Sequence, residues 1–265
     1  MIAEWIESHF PPHRIYCEPF GGAASVLPRK PRSSTEVYND LDGAIVTLFR
    51  VLRDPARSKE LVRRVELTPF SRDEFYEAWD LGVAADDVDL AWRVLVKSWL
   101  AHGTTGATGK WKTGFRLSIK VRKSSPAGEW QRYPEALRAV IERLRGVYIE
   151  NRPAVDVIRS ADTPETLFYV DPPYPAAVRG RWDVGAYRHD LSADDHRVLA
   201  EVLRAAAGYV VLSSYRSPLY DDLYAGWPRR SKRVTADNGS IREECLWLSP
   251  RTAEESDLPL LKAMA

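Results

Sequence analysis

The chain has 265 residues, long enough for one large domain or for a core domain with an insert. Apolar residues make up 45% and charged residues 28%, with a net charge of +1, so the sequence reads as a globular protein whose total charge announces no polyanionic partner. Two cysteines exclude a disulfide framework and a multi-cysteine zinc site, and Cys17, in an apolar strand pattern, reads as a small core residue. No apolar run approaches a membrane span and no charged-then-apolar leader precedes the first helix, so the expectation is a cytoplasmic protein with no membrane association. Nothing points to a metal or to a protein partner; His189 and His196 read as surface or capping residues.

In chain order, Ile2, Trp5, Ile6, His9 and Phe10 have helical spacing and stop at Pro11-Pro12. Arg14 to Glu18 reads as a strand, followed by the glycine turn Phe20-Gly21-Gly22-Ala23-Ala24 and an expected helix. Glu36 to Tyr38 is a second strand ending at Asn39-Asp40, and Leu41, Ala44, Ile45, Leu48 and Leu52 mark the next helix. Strand, helix, strand, helix is the pattern of a parallel α/β sheet. The pattern then changes. Ser71-Arg72-Asp73-Glu74 suits a capping box opening a helix through Trp79, Asp87 to Ala101 reads as another helix, and Pro134 to Arg145 as a third. Strand rhythm resumes at Val147 to Glu150 and Leu167 to Val170. The expected division is therefore a sheet domain from 1–54 and 136–265 with an insert at 55–135. Beyond it, the polar stretch Ala176 to Leu191 suits a lid, Ser192 and Asp195 cap a helix, and Tyr209 to Leu212, Arg233 to Thr235 and Cys245 to Leu248 read as strands.

Three features carry chemistry. Asp171-Pro172-Pro173-Tyr174 closes the apolar run Leu167 to Val170, and the prolines force the backbone out of the sheet, leaving a carbonyl that no neighbouring amide takes. Asp171 and that carbonyl can accept both hydrogens of one NH2 group while Tyr174 offers a stacking face; an ordinary Asp-Pro turn remains the alternative. The glycine turn at Gly21-Gly22, with an acid at the next strand end, suits a nucleoside at the carboxyl edge of a doubly wound sheet. Finally, Lys110, Lys112, Arg116, Lys120, Arg122 and Lys123 form a basic run without acids, interleaved with Trp111 and Phe115 and set among glycines, as for a loop tracking phosphates. Arg229-Arg230-Ser231-Lys232-Arg233 is a second basic stretch, suited to phosphates or to charge protection of an edge strand.

Glu18-Pro19-Phe20-Gly21-Gly22-Ala23-Ala24-Ser25, Asn39-Asp40 and Phe168-Tyr169-Val170-Asp171-Pro172-Pro173-Tyr174, in that order, resemble the motifs of the Dam-like (D12 class) DNA adenine-N6 methyltransferases over nearly the whole chain. The resemblance implies a Rossmann-like sheet dependent on S-adenosylmethionine, with a mostly helical target-recognition insert, and double-stranded DNA as partner. It assigns Glu18, Phe20, Gly21, Gly22 and Ala24 to the methionine moiety, Asp40 to the ribose and Asp156 to the surroundings of the cofactor's adenine. Asp171, Pro172, Pro173 and Tyr174 would hold a flipped target adenine, with Asp171 acting as a carboxylate of ordinary acidity, about 4. Phosphate contacts would come from the Lys110 to Lys123 run, with Trp111 filling the vacated place in the duplex. RNA or glutamine N-methylation, and DNA binding with a vestigial site, are the alternatives. Two departures stand out. The family usually has glycine where Ala24 stands, and a Gly-Gly-Lys segment usually precedes the first helix, whereas Met1 enters it directly, from which weaker cofactor binding is expected.

Overall fold

The computed structural model describes residues 2–102, 113–117, 125–179, 188–235 and 241–256. It divides into two compact units, one built from 1–41, 146–181 and 189–265, the other from 42–145 and 182–188.

The first unit is a seven-stranded sheet. Its strands are β1 (Ile15–Glu18), β2 (Thr35–Asn39), β3 (Val147–Glu150), β4 (Thr166–Val170), β5 (Tyr209–Tyr215), β6 (Arg229–Thr235) and β7 (Ile241–Leu248), in the order β3-β2-β1-β4-β5-β7-β6. The first five in that order pair in parallel, whereas β7 runs antiparallel to both β5 and β6. Every residue of β4 is buried, the continuous apolar run expected of a parallel strand covered on both faces. Cys17, Phe168, Val170, Val210 and Leu212 meet Leu199 and Leu203 of α8 (Ala193–Ala205) and Val157 and Ile158 of α7 (Ala154–Ala161) in one core. Both cysteines are buried thiols. Ser192 and Asp195 form the expected reciprocal cap of α8.

The second unit is helical: α2 (Gly43–Arg53), α3 (Pro55–Leu67), α4 (Arg72–Glu77), α5 (Asp87–Leu100) and α6 (Pro126–Arg143). Helices α2, α3 and α4 pack on α5, and α6 packs on α3. Polar knots tie them together. Asp89 is held between Arg64 at 2.6 Å and Arg93 at 2.9 Å, while the indoles of Trp92 and Trp130 donate to the Thr68 hydroxyl and carbonyl, each at 2.8 Å.

Four local readings differ from the structure. The helix expected after the glycine turn is absent; Pro28 and Pro31 cannot continue one, and residues 21–34 fold through turns instead. Helix α3, which follows α2 after a single residue, escaped the periodicity reading. Helix α6 starts at Pro126, where Ser125 caps Gly128, and runs through Pro134; the buried, stacked rings of Trp130 and Tyr133 hold the turn in which proline removes a hydrogen bond. His196 is buried, its Nδ1 3.0 Å from the Tyr220 hydroxyl, so it is a core residue and not a surface one. Helix α2 packs with the helices of the second unit, which starts at residue 42. Of the expected lid, residues 180–187 lie outside the described residues; Arg179 and Asp190 flank them in a two-pronged ion pair at 2.8 and 2.7 Å.

Candidate active site

The carboxyl ends of β1, β2 and β4 lie on one edge of the sheet, because the three strands are parallel and adjacent. At the end of β1 the backbone turns sharply. The Gly21 amide donates to the Asn39 carbonyl at 2.7 Å, which presses the glycine against the ring of Tyr38: a Cβ on Gly21 would lie 2.1 Å from Tyr38 Cε2. Only glycine fits that approach. The Tyr38 hydroxyl then donates to the Gly22 carbonyl at 2.6 Å, and the Gly22 amide donates to Asp40 Oδ2 at 2.8 Å. Asn39 fastens the neighbouring strand ends, its amide nitrogen donating to the carbonyls of Pro19 and Arg152 and its oxygen accepting from the Arg152 amide. Ala24 adopts φ +50, a left-handed conformation that costs a non-glycine residue about 1–2 kcal/mol. The substitution of alanine for the usual glycine is therefore a strained one.

Beneath this turn Glu18 is buried. Its Oε1 accepts from the Tyr16 hydroxyl at 2.6 Å and from the Leu27 amide at 2.9 Å, while its Oε2 is buried without a partner. Burial pushes its pKa up to about 7 against those two bonds, and the charge of Asp171 adds to the rise. Lys30 lies over the Tyr16 ring at 4.3 Å and pairs with buried Glu36 at 2.7 Å, which holds Tyr16 in place.

Strand β4 ends at Val170, whereas its neighbour β5 continues to Tyr215, so Asp171 to Pro175 leave the sheet beside β5. Hydroxyls from three directions face Asp171: Tyr174, Ser213 of β5 and Tyr169 of β4. Burial first, then the nearby negative charge of Glu244 on β7, push its pKa up to about 7, while those hydroxyls oppose the rise. The ordinary pKa expected from the sequence is thus corrected, because a four-residue motif shows neither its own burial nor the carboxylate that β7 brings alongside. The Tyr174 hydroxyl sits 3.3 Å from both Ser213 Oγ and Glu244 Oε2, and its ring meets Tyr215 edge-on with centroids 4.7 Å apart.

A family model of the D12 class N6 adenine-specific DNA methyltransferases matches residues 1–236. The chain belongs to that family. It is accordingly an enzyme, an adenine-specific DNA methyltransferase, and its mixed sheet is compatible with a methyltransferase fold. A comparison with curated proteins gave no match. Use of S-adenosylmethionine and flipping of the target base are typical of the family. The first suits the residues present: a buried glutamate oxygen without a partner calls for a cationic N–H donor, which an amino-acid ammonium provides.

Of the residues singled out in the sequence, Glu18, Gly21, Gly22, Ala24 and Asp40 form one turn-and-strand cluster, and Asp171 joins it electrostatically through Glu18. Phe20 packs partly buried against the sheet core. Pro172 is buried and Pro173 half-buried. Asp156 is exposed in the first turn of α7 and pairs with Arg159 at 3.9 Å. Lys110, Trp111, Lys112, Lys120, Arg122 and Lys123 lie outside the described residues; Arg116 pairs with Glu129 at 3.2 Å, and its amide donates to the Leu100 carbonyl at 2.7 Å. The sequence reading missed Tyr16, Tyr169, Ser213, Tyr215 and Glu244. Ser213 and Tyr215 could have been found as polar residues at the carboxyl end of a central strand; Glu244 carries no local signal.

Proposed function

We propose that the chain methylates the N6 amine of an adenine flipped out of duplex DNA, at a specific sequence, with S-adenosylmethionine as methyl donor. The observation that carries this reading is Asp171: a carboxylate at the end of β4, ringed by three hydroxyls and a second acid, on the edge where the glycine turn and the partnerless Glu18 oxygen lie.

Glu18 would hold the cofactor's ammonium, the Gly21-Gly22 backbone would let its chain pass close, and Asp40 would take the ribose hydroxyls. Asp156, exposed on α7, is assigned to the cofactor's adenine. When bound, the cofactor supplies an electrophilic sulfonium methyl group. Asp171 and the Pro172 carbonyl accept the two hydrogens of the target amine, which draws its lone pair out of conjugation with the ring and steadies the positive charge that develops on nitrogen. An acidity near 7 also suits Asp171 to take the proton that the methylated amine sheds. Tyr174, anchored by its hydroxyl, stacks on the flipped base and returns part of the few kcal/mol lost in unstacking. We assign target recognition to the helical insert, and phosphate contacts to Lys110, Lys112, Arg116, Lys120, Arg122 and Lys123 with Trp111 as wedge. Supporting this, Ala101 and Phe115 form an antiparallel bridge, and Phe115 packs against Phe70 and Phe75.

The test incubates the protein with labelled S-adenosylmethionine and unmethylated duplex DNA, then maps modified bases by single-molecule sequencing. Label in adenine at one short sequence is expected. Label entering RNA or protein, with none in DNA, would overturn the reading.

A further inference from the structure

Glu244 lies outside every motif that the sequence offers, yet it meets the adenine pocket from the far side. Strand β7 runs antiparallel to β5 and sets Glu244 opposite Tyr215, the residue whose ring backs Tyr174. The Tyr174 hydroxyl can donate to Glu244 Oε2 while accepting from Ser213, both at 3.3 Å, which pins the phenol at its outer end. Across the other side of β7, Lys232 of β6 is the register partner of Glu244.

We propose that Glu244 is a positioning residue of the adenine pocket, holding the Tyr174 phenol in its stacking place and keeping a second negative charge beside Asp171. The proposal rests on the function proposed above and deepens it. Two carboxylates in one pocket resist simultaneous ionisation, so each makes the other a stronger proton acceptor. That is the condition in which a pocket welcomes an amine, with two hydrogens to donate, and repels a ring carbonyl at the same place. Asp171 is faced by Ser213 of β5, Tyr169 of β4, Tyr174, Glu18 of β1 and Tyr220 of α9 (Pro218–Leu223), and Glu244 by Tyr174, Tyr169 and Lys232. After burial, the charge of Glu244 is what makes ionisation of Asp171 harder, and Asp171 in turn makes ionisation of Glu18 harder.

Three substitutions separate the two roles. Glu244→Gln keeps an oxygen for the Tyr174 hydroxyl and removes the charge; Glu244→Asp keeps the charge and shortens the reach; Glu244→Ala removes both. Each variant's kcat/KM is followed from pH 5.5 to 9 and normalised to its own plateau, after a thermal melt confirms folding. In parallel, the apoprotein is titrated by 13C NMR of labelled aspartate carboxyls, with Asp171→Asn identifying the resonance. Glu244→Gln is expected to move both the acid limb and the Asp171 titration down by at least about half a pH unit, a threefold gain in relative rate on that limb. Glu244→Asp is expected to leave the limb in place and lower kcat, and Glu244→Ala to show both changes with KM for S-adenosylmethionine within about twofold of wild type. A limb and a titration unmoved in Glu244→Gln would overturn the proposal. Absence of methylation in the wild-type protein would instead strike the proposed function, and the carboxyl titration would still decide whether Glu244 governs Asp171.

Discussion

The raised pKa of Asp171 has a consequence for stability that can be measured without substrate. A carboxyl that binds its proton more tightly in the folded than in the unfolded chain opposes folding when it ionises. Its contribution is most favourable below about pH 4, is lost as pH rises from about 4 to about 7, and is constant above that. A rise from an ordinary 3.8 to about 7 corresponds to about 4 kcal/mol for a fully enclosed group. Asp171 is half-buried, and screening by the remaining solvent reduces this to about 1–2 kcal/mol. Asp171→Asn presents a neutral group of the same shape, so above pH 7.5 it should melt about 3–5 °C higher than wild type while losing methyl transfer. The gap should narrow as pH falls from 7 toward 5 and close only below about pH 4. Glu18 shifts in the same direction and over a similar window, so Glu18→Gln and the double variant are needed to separate the contributions. The assay is differential scanning fluorimetry from pH 4.5 to 8.5. Parallel melting curves for wild type and Asp171→Asn across that range would refute the reasoning, because they would show that the folded-state carboxyl titrates like a free one.

Four further outcomes follow from the glycine turn and its surroundings. Ala24→Gly relieves a left-handed alanine, and after allowing for the extra freedom of the unfolded chain it should stabilise by about 0.5–1 kcal/mol in urea denaturation; a loss of stability would contradict the strain. Gly21→Ala drives a methyl into the Tyr38 ring and should cost about 1–3 kcal/mol, together with a weaker S-adenosylmethionine affinity by calorimetry. Tyr16→Phe deprives Glu18 Oε1 of its shorter bond and should cost about 1 kcal/mol, with cofactor binding that weakens more steeply below pH 7 than in wild type. Asn39→Ala removes three bonds joining the ends of β1, β2 and β3 and should cost about 2–3 kcal/mol; an unchanged urea midpoint would show that the staple carries no net energy.

The turn from Asp171 to Tyr174 was legible because its signal is contiguous: an apolar strand, an acid, two prolines and a tyrosine appear side by side. The glycine turn and the acid after β2 were legible for the same reason, and the resemblance they carry agrees with the family matched over residues 1–236. Helices were read less well. Periodicity missed α3, whose stripe is diluted by six charged residues among thirteen, Arg57, Lys59, Glu60, Arg63, Arg64 and Glu66. The start of α6 was hidden because Pro134 looks like a first-turn residue until Trp130 and Tyr133 are seen packed around it.

What the sequence determined by itself is therefore the pair of loops at the sheet edge, since each is written in residues whose backbone preferences are local: glycine for close approach, proline for departure from a strand. What only the tertiary structure decided is the state of the acids in those loops. Glu18 is buried with one oxygen held by Tyr16 and Leu27 and the other without a partner, and Asp171 is pushed to about 7 by burial and then by Glu244 on β7, against the hydroxyl of Ser213 on β5. Electrostatics depends on distance and solvent access, and both are set by strands that are far apart in the chain and adjacent only in the folded sheet.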